Sequence, residues 1–449
     1  MDQSSSSFVD VIKSMNHNVK LTFLFVSFQS LGRGIWMGNV LSMFIYFLAG
    51  ESNVILGLTS AATGIAMTLS VIPAGFLCDL IPRKWTLRTA SVVGFIGLFF
   101  AVLAQDIFMI VISLLFWGLF QGLNRPSLES IFADSVESGN RSRIYAWNHS
   151  IRQIAMATGP FINAFLFLIL GDQWEIGILK AVMIFGIVIS AISLIIMVFF
   201  DDRKSLGITS ENIDINNSIS DEKYHSMSRS SKYIMIILLI CNLIIGTGAG
   251  MTIKFFPTFY YTIYSIEPVA LQVIMGLTSI ATGLTSLVAQ RFSLERGRAQ
   301  IIFAVQGMAT ACLFIIAFYP PLQLLVPIFI ARGSLMNASQ PLSRSILMDV
   351  VPKRHRGKVN SIQTLSWGLF WNFSAALGGF LIGDNNNFQL CFLVTAGLYV
   401  IGTLPILLLI PLVAKEKYVE RTVSELPSFL EKSDEISLSV ESGLITPED

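Results

Sequence analysis

Twelve stretches of this chain are predominantly apolar over more than twenty residues each, and that repetition leaves few folds open. An α-helix rises 1.5 Å per residue, so about 20 apolar residues cross the hydrocarbon of a bilayer. The stretches cover residues 20–48, 54–78, 85–105, 108–133, 144–170, 178–200, 232–263, 267–290, 299–319, 322–349, 358–383 and 388–413. None alternates at period two as barrel strands do, and irregular lipid-exposed backbone does not cross a bilayer, so the expected fold is an all-α membrane protein. With 53% hydrophobic and 13% charged residues, the chain carries more apolar surface than one water-soluble core can bury.

The charges between the stretches orient them. Lys13, Lys20, Arg83, Lys84, Arg88, Arg141, Arg143, Arg203, Lys204, Arg291, Arg296, Arg298, Lys353, Arg354, Arg356 and Lys415 all fall on one side of a twelve-span plan, whereas the other side holds only Lys180. By the positive-inside rule the basic side is cytoplasmic, and both termini lie there. The organisation expected is a cytoplasmic N-terminal tail (1–19), a six-helix bundle (20–200), a polar cytoplasmic linker (201–231), a second six-helix bundle (232–413) and a disordered cytoplasmic tail (414–449). The N-terminus lacks the basic region and small-residue cleavage site of a signal peptide, so the first stretch is expected to remain as a helix.

An internal repeat supports two halves. Sliding the chain by 215 residues lays Arg125–Asp134 over Gln340–Asp349, with Pro, Ser, Ile and Asp coinciding, and brings Arg141 onto Arg356. One further residue of shift sets Gly32-Arg33-Gly34 on Gly248-Ala249-Gly250, in the first span of each half.

Between the second and third spans runs Gly75-Phe76-Leu77-Cys78-Asp79-Leu80-Ile81-Pro82-Arg83-Lys84-Trp85-Thr86-Leu87. The spacing of Gly75, Asp79, Arg83, Lys84 and Leu87 resembles the signature loop of the major facilitator superfamily, although Leu80 and Pro82 stand where that family usually has a basic residue and a glycine. Gln121-Gly122 and Gly159-Pro160 are similar to parts of two further motifs of the same family. The resemblance implies two pseudo-symmetric six-helix bundles around a central cavity lined by spans one, four, seven and ten. In physical terms, Gly75 is expected to let two helices approach closely, and Asp79 to pair with Arg83 or cap a helix. Together with Lys84 these residues form a polar latch between the cytoplasmic faces of the halves.

Six basic residues lie inside the apolar spans: Arg33, Arg125, Arg152, Lys254, Arg332 and Arg344. A charge at the bilayer centre costs roughly 2.5–3.5 kcal/mol on insertion scales, so such residues turn toward a cavity or a partner. One acid, Glu129, lies well within a span against them, and an anionic substrate or lipid is the simplest missing counter-charge. Arg33 and Arg332, each about halfway along its span, are expected to bind substrate in one chamber, with Trp36, Asn39, Gln121, Arg125 and Asn337 as polar or aromatic neighbours. Lys254 either reaches the cavity or points to the outer headgroups. Glu129 and Arg344 occupy matching positions three residues after Pro126 and Pro341, so an ion pair between halves is expected when the inner side closes, with Arg152 competing for the same carboxylate.

Cys78, Cys241, Cys312 and Cys391 form no C-x-x-C pair and His17, His149, His225 and His355 no zinc motif, and no phosphate-binding Gly-rich loop or nucleophile elbow occurs. Hence no enzyme activity, metal or cofactor is expected, and a net charge of +1 gives no reason to expect nucleic acid. The expected protein is a monomeric secondary active or facilitative transporter that moves a small organic solute, with an anion as the leading class and a proton as the candidate coupling ion. Two alternatives stay open: an exporter of amphipathic compounds, and a non-transporting receptor or scaffold acting through the linker or tail.

Overall fold

A computed structural model describes residues 15–136, 141–206, 229–351 and 353–413. The expected C-terminal tail, most of the expected linker and all but the end of the N-terminal tail lie outside the described residues, as does the side chain of Asp79.

Every expected span is helical. Spans two to six are Asn53–Leu80, Arg83–Leu103, Ile107–Ala133, Arg141–Leu170 and Ile176–Met197. Spans eight to twelve are Pro268–Arg296, Arg298–Ile316, Leu322–Val350, Lys353–Ile382 and Phe388–Thr403, the last prolonged by a 3-10 turn over Leu404–Leu409. Of the described helices, 10 are long and apolar enough to cross a membrane as single rods, and the bent first span makes up to 11. In the eleventh span the described apolar stretch is Gly368–Ile382. Starts are set by side-chain caps: the Ser52 hydroxyl accepts from the Ile55 N–H, the Asp106 carboxylate from Met109 and the Asn387 carbonyl oxygen from Leu390. Between spans eight and nine Gly297 turns the chain at φ +106°, a conformation natural to glycine.

The first span of each half is broken. Span one runs His17–Trp36, bends by 41° and continues as Asn39–Leu48, and span seven runs Arg229–Ile253 and resumes as Phe256–Tyr264. Shifted by 216 residues, Gly38 in the first break falls on Lys254 in the second, so the two breaks are counterparts in the repeat. Backbone groups near the breaks find partners on neighbouring spans, as membrane interiors require. Asn163 Nδ2 donates to the Ile35 carbonyl at 3.1 Å, and Cys391 Sγ to the Met251 carbonyl at 3.3 Å.

Within the N-terminal half, span one packs on spans five and six, and span four on two and three; in the C-terminal half, span seven packs on eleven and twelve, and span ten on eight and nine. Spans two and eleven, and spans five and eight, carry the seam between halves. At Gly57 a β-carbon would stand 2.4 Å from the Ala375 carbonyl oxygen, so this glycine is what lets spans two and eleven approach so closely.

Hydrogen bonds joining the halves, among the described residues, all lie on the side opposite the basic loops. Trp174 Nε1 donates to the Ile266 carbonyl at 2.7 Å, Val269 N–H to Asp172 Oδ1 at 2.8 Å, and Asn53 Nδ2 to Asn386 Oδ1 at 2.8 Å. Tyr261 sits among Tyr46, Phe47 and Trp174 with ring centroids 5.1–6.5 Å apart, edge to face. This aromatic plug closes the molecule on that side.

Candidate functional site

The site is built on the broken spans. Arg33 lies one turn before the first break and is half-buried, with Nε lacking a hydrogen-bond partner. Lys254 occupies the second break itself, is half-buried, and lies within electrostatic reach of Arg33 across the halves. The sequence leaves two directions open to Lys254, the cavity and the outer headgroups, and its electrostatic reach to Arg33 is the observation that bears on them. A continuous helix carries its side chains past the midplane at fixed angles; the break frees Lys254 from that constraint.

From Arg33 a chain of charges runs toward the basic side. Arg125 and Arg152 lie in reach of Arg33, Glu129 in reach of Arg125 and Arg152, and Arg344, from the other half, in reach of Arg152. Exposure rises along this path: Arg33 and Arg125 are half-buried, whereas Glu129, Arg152 and Arg344 are exposed. Residues of both halves thus lie along one path of charges whose exposure rises toward the basic loops. Among the described residues, Glu129 and Arg344 form no ion pair with each other. Gln121 is half-buried in span four, and Asn39 half-buried at the start of the second segment of span one.

Two expected site residues, Trp36 and Arg332, are placed elsewhere, whereas Asn337 is exposed on span ten, as Arg344 is. Trp36 is 1% exposed, donates Nε1 to Ser190 Oγ at 3.0 Å and meets Trp117 edge to face, so it packs inside the N-terminal half instead of facing the cleft. Asn337 gives its amide to the Gly333 carbonyl at 2.9 Å, one turn back on its own helix. Arg332 does not share a chamber with Arg33. It is 5% exposed within the C-terminal half, its guanidinium carbon 4.4 Å from the Phe256 ring centroid and 5.2 Å from that of Phe329. Aromatic faces attract a desolvated cation, which explains how the charge is held there without a carboxylate.

The signature loop also departs from expectation. Arg83 pairs with Asp134 at the end of span four, Lys84 Nζ reaches Asp201 Oδ1 at 3.2 Å, and the backbone N–H groups of Arg83 and Lys84 donate to the Asp202 carboxylate. The partners seen among the described residues are all within the N-terminal half, where they tie the start of span three to the ends of spans four and six. The Arg203 backbone N–H, and then the Lys84 ammonium, hold the Asp201 carboxyl below the usual carboxylate range. A β-carbon on Gly75 would meet nothing within 4 Å, so the expected close approach is absent in this state.

Sequence reasoning missed the second latch. Arg298 Nη1 lies 2.5 Å from Asp349 Oδ2, and both residues stand 215 positions after Arg83 and Asp134. The repeat that matched Asp134 to Asp349 also matches Arg83 to Arg298, and following it one loop further would have found the pair.

The sequence profile of the Major Facilitator Superfamily matches residues 22–241 and again 238–440. The multidrug resistance protein MdtG of Klebsiella pneumoniae (strain 342) is 27% identical over 158 residues, which span 34% of this chain and 38% of that protein. MdtG of Citrobacter koseri is 27% identical over 128 residues, 28% of this chain and 32% of that protein. The chain thus aligns with well under half the length of these curated relatives. Among solved structures, the nucleoside transporter NupG superposes with a TM-score of 0.65 at 14% identity over 87% of this chain and 98% of its own. A bacterial homologue of the iron transporter ferroportin, in an inward-facing state, gives 0.62 at 12% identity over 90% and 99%. At such identities the superpositions speak for the fold alone. With the profile matched once by each half, and with the broken first spans and paired latches repeating as the halves do, this multi-pass membrane chain belongs to the major facilitator superfamily.

Proposed function

We propose that the protein is a transporter that carries a small organic anion across a membrane by alternating access. The reading rests on one observation: Arg33, a turn before the break in span one, and Lys254, in the break of span seven, lie within electrostatic reach of each other from different halves. Like charges in a low-dielectric cleft repel. An anion between them removes that repulsion and draws the halves together, whereas an empty cleft resists closure. Arg125 and Arg152 extend the positive surface toward the entrance, and Glu129 is the carboxylate in their reach. Glu129 serves as gate partner of Arg344 and as the candidate proton carrier. Both termini are assigned to the cytoplasm, which makes the aromatic plug around Tyr261 the outer gate and the described state inward-open.

Thermal-shift screening of the purified full chain against metabolite anions, sugars, nucleosides and lipophilic cations tests this, because a ligand that binds the folded state stabilises it. The expected hits are anions, and uptake of a hit into proteoliposomes is abolished by Arg33→Gln and by Lys254→Gln. Anion transport that survives both substitutions refutes the assignment. Export of amphipathic compounds is the second reading, favoured by the partial match to the multidrug resistance proteins and by Gly159-Pro160. Under it, lipophilic cations stabilise the protein and Arg33→Gln leaves their transport intact.

A further inference from the structure

Three buried polar residues of the C-terminal half, two tyrosines and the arginine in whose electrostatic reach they lie, each have a polar atom with no hydrogen-bond partner. Tyr260 and Tyr399 are each 0% exposed, and both hydroxyls lack a hydrogen bond. Arg332, 5% exposed, has an unpartnered Nε, and the ionisable groups in its reach are Tyr399, Tyr260 and Cys312, none of which is charged at neutral pH. Buried polar groups are almost always satisfied, and a buried cation is normally paired, so three failures around one guanidinium indicate a missing species. The aromatic faces of Phe256 and Phe329 attend to the charge but accept no hydrogen bond from Nε.

The fold does not require these residues. Under the repeat offsets of 215 residues for spans four and ten and 216 for spans one and seven, Arg332 corresponds to Trp117 and Tyr260 to Phe44. Trp117 and Phe44 are each 0% exposed in the apolar core of the N-terminal half. One bundle fills this place with an indole, whose Nε1 also lacks a partner, and a phenyl ring; the other fills the same place with a cation and a phenol.

We propose that the C-terminal half binds a small inorganic anion of the chloride type between the Arg332 guanidinium and the hydroxyls of Tyr260 and Tyr399. All three are donors, which excludes a metal cation. Enclosure by Phe256 and Phe329 favours a small, weakly hydrated ion over a carboxylate bearing a carbon skeleton. Phe256 opens the outer segment of span seven, two residues after Lys254, so occupancy steadies the broken helix that presents Lys254 to the cleft. This site is separate from the chamber of Arg33 and Lys254 and does not depend on what that chamber carries.

The test is thermal unfolding of the purified full chain in gluconate buffer, titrated with sodium chloride or bromide at constant ionic strength. Wild type is expected to gain about 2 °C or more at 100 mM halide, the scale that ligand linkage gives for a millimolar site. Arg33→Gln keeps this gain, while Arg332→Met and the double variant Tyr260→Phe/Tyr399→Phe lose it. The double variant removes only two oxygen atoms and so retains the packing if Arg332→Met does not fold. Crystals grown in bromide are expected to show an anomalous peak beside Arg332. The proposal is overturned if wild type gains nothing, if the tyrosine variant keeps the full gain, or if Arg33→Gln abolishes it. A bromide peak confined to the central cleft overturns it equally.

Discussion

Alanine at Gly159 is expected to damage this protein, and alanine at Gly75, the glycine its loop motif advertises, is not. Spans one and five cross backbone to backbone: a β-carbon on Gly159 would lie 2.4 Å from the carbonyl carbon of Gly34 and 2.5 Å from its oxygen. Ordinary van der Waals contact begins near 3.4 Å, so the helices must part by about 1 Å, and overpacking of this kind costs about 1–3 kcal/mol. Neither side has a flexible side chain that can yield, since both contacts are backbone. For a chain of this size that is a fall in Tm of about 1 to 3 °C. At Gly75 nothing lies within 4 Å, and replacing a mid-helix glycine by alanine gains about 0.5–1 kcal/mol from the unfolded chain's lost freedom. Thermal unfolding of both variants in the same detergent decides the matter. Equal destabilisation by Gly75→Ala, or none by Gly159→Ala, refutes the packing described above. Because the motif resemblance gives Gly75 its contact in the opposite state, the expected signature of Gly75→Ala is slower transport with an unlowered Tm.

The paired latches give a second test: a double-mutant cycle on Arg298 and Asp349 is expected to return a coupling of about 1–2 kcal/mol, below that of a fully buried pair because Asp349 is 59% exposed. The gate gives a third. Reversing Glu129 and Arg344 together restores transport lost in either single reversal, and a double variant no better than the singles in proteoliposome uptake removes the gate. A fourth concerns pH. The Asp201 carboxyl is held low in the folded state, so its contribution is complete above the usual carboxylate pKa and disappears as pH falls through the lower, folded value. Tm measured against pH should therefore drop below about pH 4, and Asp201→Asn should flatten that part of the curve. Finally, Trp36→Phe, which deletes the bond to Ser190, should lower stability by about 1 kcal/mol and leave solute affinity unchanged.

Span positions were legible because hydrophobic length is a one-dimensional property, and the bilayer imposes it residue by residue. The breaks in spans one and seven were harder to read. Gly38 alone is weak evidence for a bend, and Lys254 carries no helix-breaking chemistry. Their equivalence under the repeat is the stronger signal. The latch partners Asp134 and Asp201 were out of reach for another reason: Arg83 meets them over 51 residues and Lys84 over 117, and such closure is decided by packing of whole helices.

The two central arginines show where reading depth along a helix stops being informative. Arg33 and Arg332 lie at similar depth, yet one is half-buried at the cleft and the other is sealed inside a bundle, because rotation about the helix axis, not height, decides which way a side chain points. Rotation is recoverable from the repeat. Arg332 falls on Trp117, whose neighbours Phe120 and Leu114 recur at helical spacing as a core-facing stripe, so the position that carries Arg332 faces the interior of its own half in both copies. A charge on a core-facing stripe is expensive, and a chain under no other constraint would place Leu or Trp there, as its first half does. Under the two proposals, Arg33 and Lys254 meet a ligand that comes and goes and Arg332 one that stays, and exchange of labelled halide slower than turnover of the carried solute is the kinetic outcome expected of that division.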